Sequence, residues 1–426
     1  MKLSFPLLGA PSFAERDVCV PDAVAGRRVG ILTFRRALLR WFRAHRRDFP
    51  WRRSRDPYRI WLAEVMLQQT RIAAVLPYYR RFLRRFPNVR SLARALQREV
   101  LRAWSGLGYY SRACNLHRAA KLVVARHSGK FPCALSDALA LPGVGRYTAA
   151  AVLSIAYDSP LAVLDGNVAR VLARLGALRG DLRAPRRWRS LELRATELLA
   201  PHFPGEWNQA LMELGETVCT PQSPRCSECP VARWCRARAL GLVEKIPAPR
   251  KKRSPVAVTI AAAVLLDSRG RTFVTRDPGR HDAVLFSRMW QFPAIEVHRH
   301  PAAELSAFLA ASYRSSAKNS ATHASDFGSG AKTSGFPVST SRTYTVSATF
   351  LSPALDPSST ALTALPSFRH SVTYRKVALL PFLLRVSQLP RAARGKIVPL
   401  AEISRLPVSS ATRKIAAAAL RSLSPQ

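Results

Sequence analysis

Four of the seven cysteines in this 426-residue chain fall within 17 residues, as Cys219-x6-Cys226-x2-Cys229-x5-Cys235. No other feature restricts the possible folds as strongly. Only a bound metal or cluster offsets the cost of gathering and deprotonating four thiols in so short a loop. Structural zinc usually takes two close cysteine pairs, whereas this run has one C-x-x-C between two single cysteines. That spacing favours a [4Fe-4S] cluster over zinc. With either metal, the loop 219–235 is expected to be structural and to offer Arg225, Arg233, Arg236 and Arg238 to phosphate. Cys19, Cys114 and Cys133 are scattered and suggest no disulfide framework, so the cytoplasm is the expected compartment.

Charge points to the partner. Sixty-seven Lys and Arg against 26 Asp and Glu leave a formal charge of +41, far more than solubility needs, so a polyanion is expected. A membrane partner is not expected. No run approaches the roughly 18 to 20 apolar residues of a spanning helix, and no amphipathic helix with a broad lipid-facing side is evident. Pro6 and Pro11 interrupt residues 1–14, so a secretory leader is not expected either.

The chain reads as multidomain. Residues 1–29 lack a clear period and are expected to form a flexible extension. Residues 30–240 show apolar positions at three- and four-residue steps, with Pro or Gly breaks, and read as all-α. Within 78–86, for example, Phe82, Leu83 and Phe86 share a side while Arg80, Arg81, Arg84 and Arg85 stay outward. Residues 241–255 contain VEKIPAPRKKRSP, a basic, proline-rich linker. Residues 256–426 read as α+β, with strand-like runs at Val256–Leu266, 271–275, 344–351 and 372–386. A Ser/Ala-rich insertion at 311–341 is expected to be disordered.

Two carboxylates stand out in the helical half. Glu64 is the odd residue in an apolar helix, with Gln68 one turn beyond it on the same side. Desolvation there would raise its pKa towards neutrality. Asp165, in LDGNV, precedes a helix whose first amides can hold its charge, and in a polar site it would remain ionised. One protonated and one ionised carboxyl is the division of labour of glycoside hydrolysis. Between them, LPGVGRYTA sets Gly143 and Gly145 in a tight turn before Arg146 opens a helix, an arrangement able to grip phosphate. Taken singly, the turn could be a mere connection and Asp165 a mere N-cap.

EVMLQQT, GLGYY, LPGVGRYTA, LDGNV and the cysteine run, in this order, resemble the MutY-type adenine DNA glycosylases of the helix-hairpin-helix superfamily. The match covers about residues 49–235. The resemblance implies that Glu64 protonates departing adenine and handles water, while Asp165 stabilises the oxocarbenium-like sugar. It also implies that Asn167 supports that site and that Tyr147 lies near the reacting sugar, where endonuclease III relatives carry a lysine nucleophile. Tyrosine forms no Schiff base, so hydrolysis without an efficient lyase step is expected. Gln68 and Tyr109 would fill or wedge the duplex around the extruded nucleotide.

More faintly, MWQFP at 289–293 and FRHS at 368–371 resemble the family's NUDIX-like domain, which would examine an oxidised guanine opposite the adenine. Glu296 and Glu304 are too isolated to hold Mg²⁺, so recognition is expected there and pyrophosphatase activity is not. Where many relatives have Phe-Ser-His, this chain has Val372-Thr373-Tyr374; Thr373 could replace the serine hydroxyl, and both Thr373 and Tyr374 are candidate DNA contacts. The expected partner is duplex DNA with an A:8-oxoguanine or A:G mispair, bound by a monomer. The alternatives are an endonuclease III-like glycosylase for pyrimidines or mismatched thymine, against which Tyr147 speaks, and a non-catalytic DNA-binding module.

Overall fold

The computed structural model describes residues 24–248, 254–276, 289–314, 362–372, 375–390 and 394–423. Two compact units emerge: Met1–Ala95 with Cys114–Lys251, and Leu96–Ala113 with Lys252–Gln426. The expected strand at 344–351, most of the insertion, residues 1–23, and both Thr373 and Tyr374 lie outside the described residues.

The described part of the first unit is helical. Its long first helix, Val24–His45, takes in six residues that weak periodicity left to the extension. Helix growth is cooperative, so a segment anchored by buried Phe34, Leu38 and Phe42 can propagate beyond its own apolar pattern. Pro57–Leu67 begins at Asp56, whose carboxylate accepts from the Tyr58 amide at 2.9 Å, with Pro57 in the first turn. It is buried continuously from Ile60 through Met66 and packs on Arg146–Tyr157, where Ala149, Ala150 and Ala151 permit close approach. In the helix Ile72–Arg85, Tyr79 and Phe82 are buried while Arg80, Arg81, Arg84 and Arg85 face outward.

Pro204–Thr217 packs against Arg146–Tyr157 and Gly166–Leu175 through two glycines. A Cβ on Gly205 would lie 2.6 Å from the Ser154 carbonyl oxygen, and one on Gly215 would lie 2.8 Å from the Asn167 Cβ. The stretch read as linker is not all linker. Val243–Lys245 forms a 3₁₀ turn, and Ile246 is buried in this unit's core. An apolar side chain followed by proline can seal a core edge while ending regular structure.

The second unit is built on a mixed sheet. Its described strands are β1 (Val256–Leu266), β2 (Arg271–Arg276), β3 (Trp290–Gln291), β4 (Ala294–Glu296), β5 (Thr363–Ala364), β6 (Phe368–Val372), β7 (Arg375–Arg385) and β8 (Gly395–Pro399). The path runs β3-β2-β1-β7-β5; β4 pairs with β1, β6 with β7 and β8 with β2. β1 and β7 run parallel, from Val256 opposite Arg375 to Leu266 opposite Arg385, and the other pairings are antiparallel. The apolar run expected over 372–386 therefore divides, with Val372 closing β6 and Arg375 opening β7.

β1 is almost continuously apolar because both its faces are covered. Ala261, Ala263 and Leu265 pack with Leu305 and Leu309 of the helix Pro301–Arg314, whose last four residues begin the expected insertion. Ala262, Val264 and Leu266 face Ile415 and Ala419 of the helix Ser410–Leu423. The helix Gln97–Trp104 and the GLGYY loop belong to this unit as well. There, the Ser105 hydroxyl donates to the Val408 carbonyl at 2.6 Å and accepts from Arg413 at 2.7 Å.

Gly205→Ala is expected to destabilise the protein by about 1 to 3 kcal/mol, because the backbone carbonyl it meets cannot swing aside as a side chain would. The midpoint of urea unfolding measures the loss, and Gly145→Ala, which meets nothing within 4 Å, serves as the comparison.

Candidate active site

A pocket of about 330 Å³ in the helical unit has Glu64, Gln68, Tyr147, Asp165 and Asn167 among its lining residues. Among the elements that converge there are Pro57–Leu67, Arg146–Tyr157, Gly166–Leu175 and Pro204–Thr217. Glu64 is 7% exposed, and its Oε2 accepts a hydrogen bond from the Tyr147 hydroxyl at 2.8 Å. Burial pushes its pKa up to about 7, against the pull of the Tyr147 hydrogen bond; the charge of Asp165 adds to the rise and that of Arg52 opposes it. The Tyr147 phenol is itself held well above its ordinary value by burial, then by the neighbouring carboxylates. It stays a neutral donor.

Asp165 is the N-cap of Gly166–Leu175, its Oδ1 accepting from the Val168 amide at 2.7 Å. The site is more enclosed than the polar one expected for it. Burial raises its pKa from the ordinary value, and the amides of Val168 and Asn167 and the Arg170 charge only partly offset this. Gln68 is not inside the helix but caps its C-terminus; its Nε2 donates to the Thr148 hydroxyl at 3.2 Å, and Gln69 beyond it takes a φ of 56°.

At the hairpin, Gly143 has φ 78°, and a Cβ there would lie 2.7 Å from the Asn115 Cβ. Gly145 is extended rather than left-handed, serves as N-cap of Arg146–Tyr157 without a side-chain cap, and has open space over its Cα. Arg146 is mostly exposed, 3.8 Å from Glu192. Tyr109, in the other unit, sits in a loop where Gly106, Gly108 and Tyr109 all have positive φ, and its exposed ring lies 5.4 Å from the Arg112 guanidinium.

The four cysteines of 219–235 share one electrostatic neighbourhood. Burial, then the proximity of Cys219, Cys235 and Cys226, pushes the Cys229 thiol up to about 12. A thiol raised in this way stays protonated unless a cation compensates, which is the chemistry of a metallated thiolate cage. Among the described residues no three His, Cys, Asp or Glu side chains converge on a single-ion site. Buried Arg174 braces the loop, donating to the Cys219 sulfur at 3.3 Å and to the Thr220 and Ile246 carbonyls at 2.7 and 2.8 Å. Of the four expected phosphate-facing arginines, Arg225 is paired with Glu228 at 3.1 Å and Arg236 is half-buried; Arg233 and Arg238 are exposed.

Residues 62–193 match the HhH-GPD superfamily of base excision DNA repair proteins, and residues 219–235 match the iron–sulfur binding domain of endonuclease III. Human adenine DNA glycosylase is 46% identical over 217 residues, covering 49% of this chain and 40% of the human protein. The adenine DNA glycosylase of Buchnera aphidicola subsp. Baizongia pistaciae (strain Bp) is 30% identical over 265 residues, covering 62% of this chain and 74% of that protein. The chain belongs to the MutY-type adenine DNA glycosylase family. It nevertheless spans less than half the length of its human relative. A solved thermostable thymine-DNA glycosylase is 29% identical, with a TM-score of 0.46 over 49% of this chain and 97% of that one. The matched iron–sulfur domain spans Cys219, Cys226, Cys229 and Cys235, whose thiols would hold the [4Fe-4S] cluster of this family member.

The pocket also contains residues the sequence reading passed over. Glu213, 1% exposed, accepts from Arg47 at 2.7 and 3.0 Å and from Arg52 at 2.8 Å. Burial alone would raise its pKa, but the paired guanidiniums hold it below the ordinary range. Glu213 carries the same mark as Glu64, an acid inside an apolar helical run. The two arginines carry none in a chain so rich in arginine.

The raised pKa of Glu64 has a definite sign for stability. Its ordinary value is 4.5, so its contribution is fully present below that pH and is lost as pH rises through about 7. Glu64→Gln, which keeps an acceptor for Tyr147, is expected to exceed wild type in stability by on the order of 3 kcal/mol at pH 8. Near pH 4.5 the two should match, as urea unfolding at both pH values would reveal.

Proposed function

We propose that this chain is a monofunctional DNA glycosylase that hydrolyses the N-glycosidic bond of adenine mispaired with 8-oxoguanine or guanine. The observation that carries the reading is the pair of carboxyls at one pocket. Glu64 is buried, hydrogen-bonded by Tyr147 and raised to about 7, while Asp165 is held by helix amides. An acid with that pKa can give up a proton near neutral pH. As the bond between adenine and the sugar C1′ breaks, its electron pair passes to the purine, which takes the Glu64 proton. Asp165 offsets the positive charge left on the sugar. Water then adds to C1′, and its proton returns to Glu64. Tyr147 supplies no amine, so the reaction ends at the abasic site.

Adenine must leave the helix to reach a pocket of this size. Gln68 at the pocket and Tyr109 on its left-handed turn are suited to fill the gap. Gly143, Gly145 and Arg146 offer uncapped helix amides and a cation to a phosphate, with room over Gly145 for its approach. Asn167 steadies the sugar site. The sheet unit is read as the NUDIX-like domain that inspects the opposite base, with Thr373 and Tyr374 as lesion contacts. Its Glu304 supports recognition over Mg²⁺ chemistry, since its carboxylate accepts from the amides of His298, Arg299 and His300 at the start of a helix.

Single-turnover incubation with a duplex carrying one A:8-oxoguanine pair, followed by alkali, tests the reading. Alkali-dependent cleavage by wild type is expected, falling as pH rises through about 7 with deprotonation of Glu64. Glu64→Gln should reduce the rate at least about a hundredfold. Cleavage confined to oxidised-pyrimidine or thymine-mismatch duplexes would overturn it in favour of the endonuclease III-like alternative.

A further inference from the structure

Glu216 is an anomaly at this pocket. It is exposed, and it adds a fourth carboxylate to a lining that already holds Glu64, Asp165 and Glu213, in a chain whose charge of +41 suits a polyanion. A carboxylate there opposes phosphate, so electrostatics alone does not account for it. Its contact does. The Asn167 Nδ2 donates to Glu216 Oε2 at 3.2 Å, while the Asn167 Oδ1 accepts from Arg170 Nη2 at 2.8 Å.

The Asn167 amide is thereby held at both ends, and the Arg170 donor fixes which end is oxygen. Arg170 is anchored in turn to the Gly215 and Cys219 carbonyls at 2.7 and 2.8 Å. The geometry has a backbone cause. Gly215 lets its helix come so close to Asn167 that the next residue, Glu216, meets the amide nitrogen. One of the two Nδ2 hydrogens is taken by Glu216, and the other remains available to the pocket.

We infer that Glu216 is a positioning residue: its carboxylate accepts from Asn167 and fixes that amide beside Asp165 for reaction with the sugar. This rests on the glycosylase reading above. It gives this acidic group of the pocket a role in orientation and not in proton transfer.

Single-turnover adenine release and duplex affinity, measured separately on the cluster-loaded protein, test it. Glu216→Ala is expected to slow release about fivefold, the worth of one hydrogen bond, without weakening duplex binding. Glu216→Gln, whose amide oxygen still accepts, should recover most of that loss. In an Asn167→Ala background, Glu216→Ala should have no further effect. Because Glu216 is exposed, truncation opens no cavity, and Glu216→Ser repeats the test should Glu216→Ala misfold. A wild-type rate in Glu216→Ala, equal slowing by Gln and Ala, additive losses with Asn167→Ala, or weakened binding would each overturn the inference. If wild type itself releases no adenine, it is the glycosylase reading that fails.

Discussion

Gly205 and Gly215 let the helix Pro204–Thr217 approach two neighbours more closely than any residue with a Cβ would allow. Much of the site depends on that approach. The same helix carries Met212, Glu213 and Glu216 to the pocket and then delivers the chain to Cys219. Its neighbours carry Tyr147 on one side and Asp165 and Asn167 on the other. A slightly wider separation would part Tyr147 from Met212 and Asn167 from Glu216 together, since both contacts span these helix pairs.

Within that frame, acids in one pocket acquire different characters. Glu64 has a single neutral donor and is driven towards its protonated form. Glu213, more deeply enclosed by surface exposure, meets two guanidiniums and stays ionised. Burial sets the cost of charge in both cases, and the partner decides which form bears it. Asp165 lies between these cases, its helix amides only partly compensating for burial.

The cluster loop and the pocket are joined by the helix Gly166–Leu175. Its N-cap is Asp165, its first turn holds Asn167, and Arg170 and Arg174 reach the 219–221 segment. The loop is therefore coupled to the pocket, because the backbone around Cys219 receives the arginines of the helix that also carries Asp165 and Asn167. The sheet unit solves a different problem, with a parallel β1–β7 pair covered by a helix on each face.

Local chemistry made part of this protein readable in one dimension. Four thiols in 17 residues specify a cluster, and an acid in an apolar helix specifies a raised pKa, because both are properties of near neighbours along the chain. Asp165 as an N-cap and Gly143 as a left-handed turn were legible for the same reason. Arg47, Arg52, Glu213 and Glu216 were not, since each is an ordinary charged residue until partners 49 to 166 positions away come within hydrogen-bond reach. The assignment of Leu96–Ala113 to the sheet unit was equally hidden: its helical period is normal, and it is revealed by bonds such as those of Ser105 to residues about 300 positions later. Sequence determined which groups were chemically unusual. Tertiary packing decided which ordinary groups stand beside them, because hydrogen bonds and desolvation depend on distance in space and not along the chain.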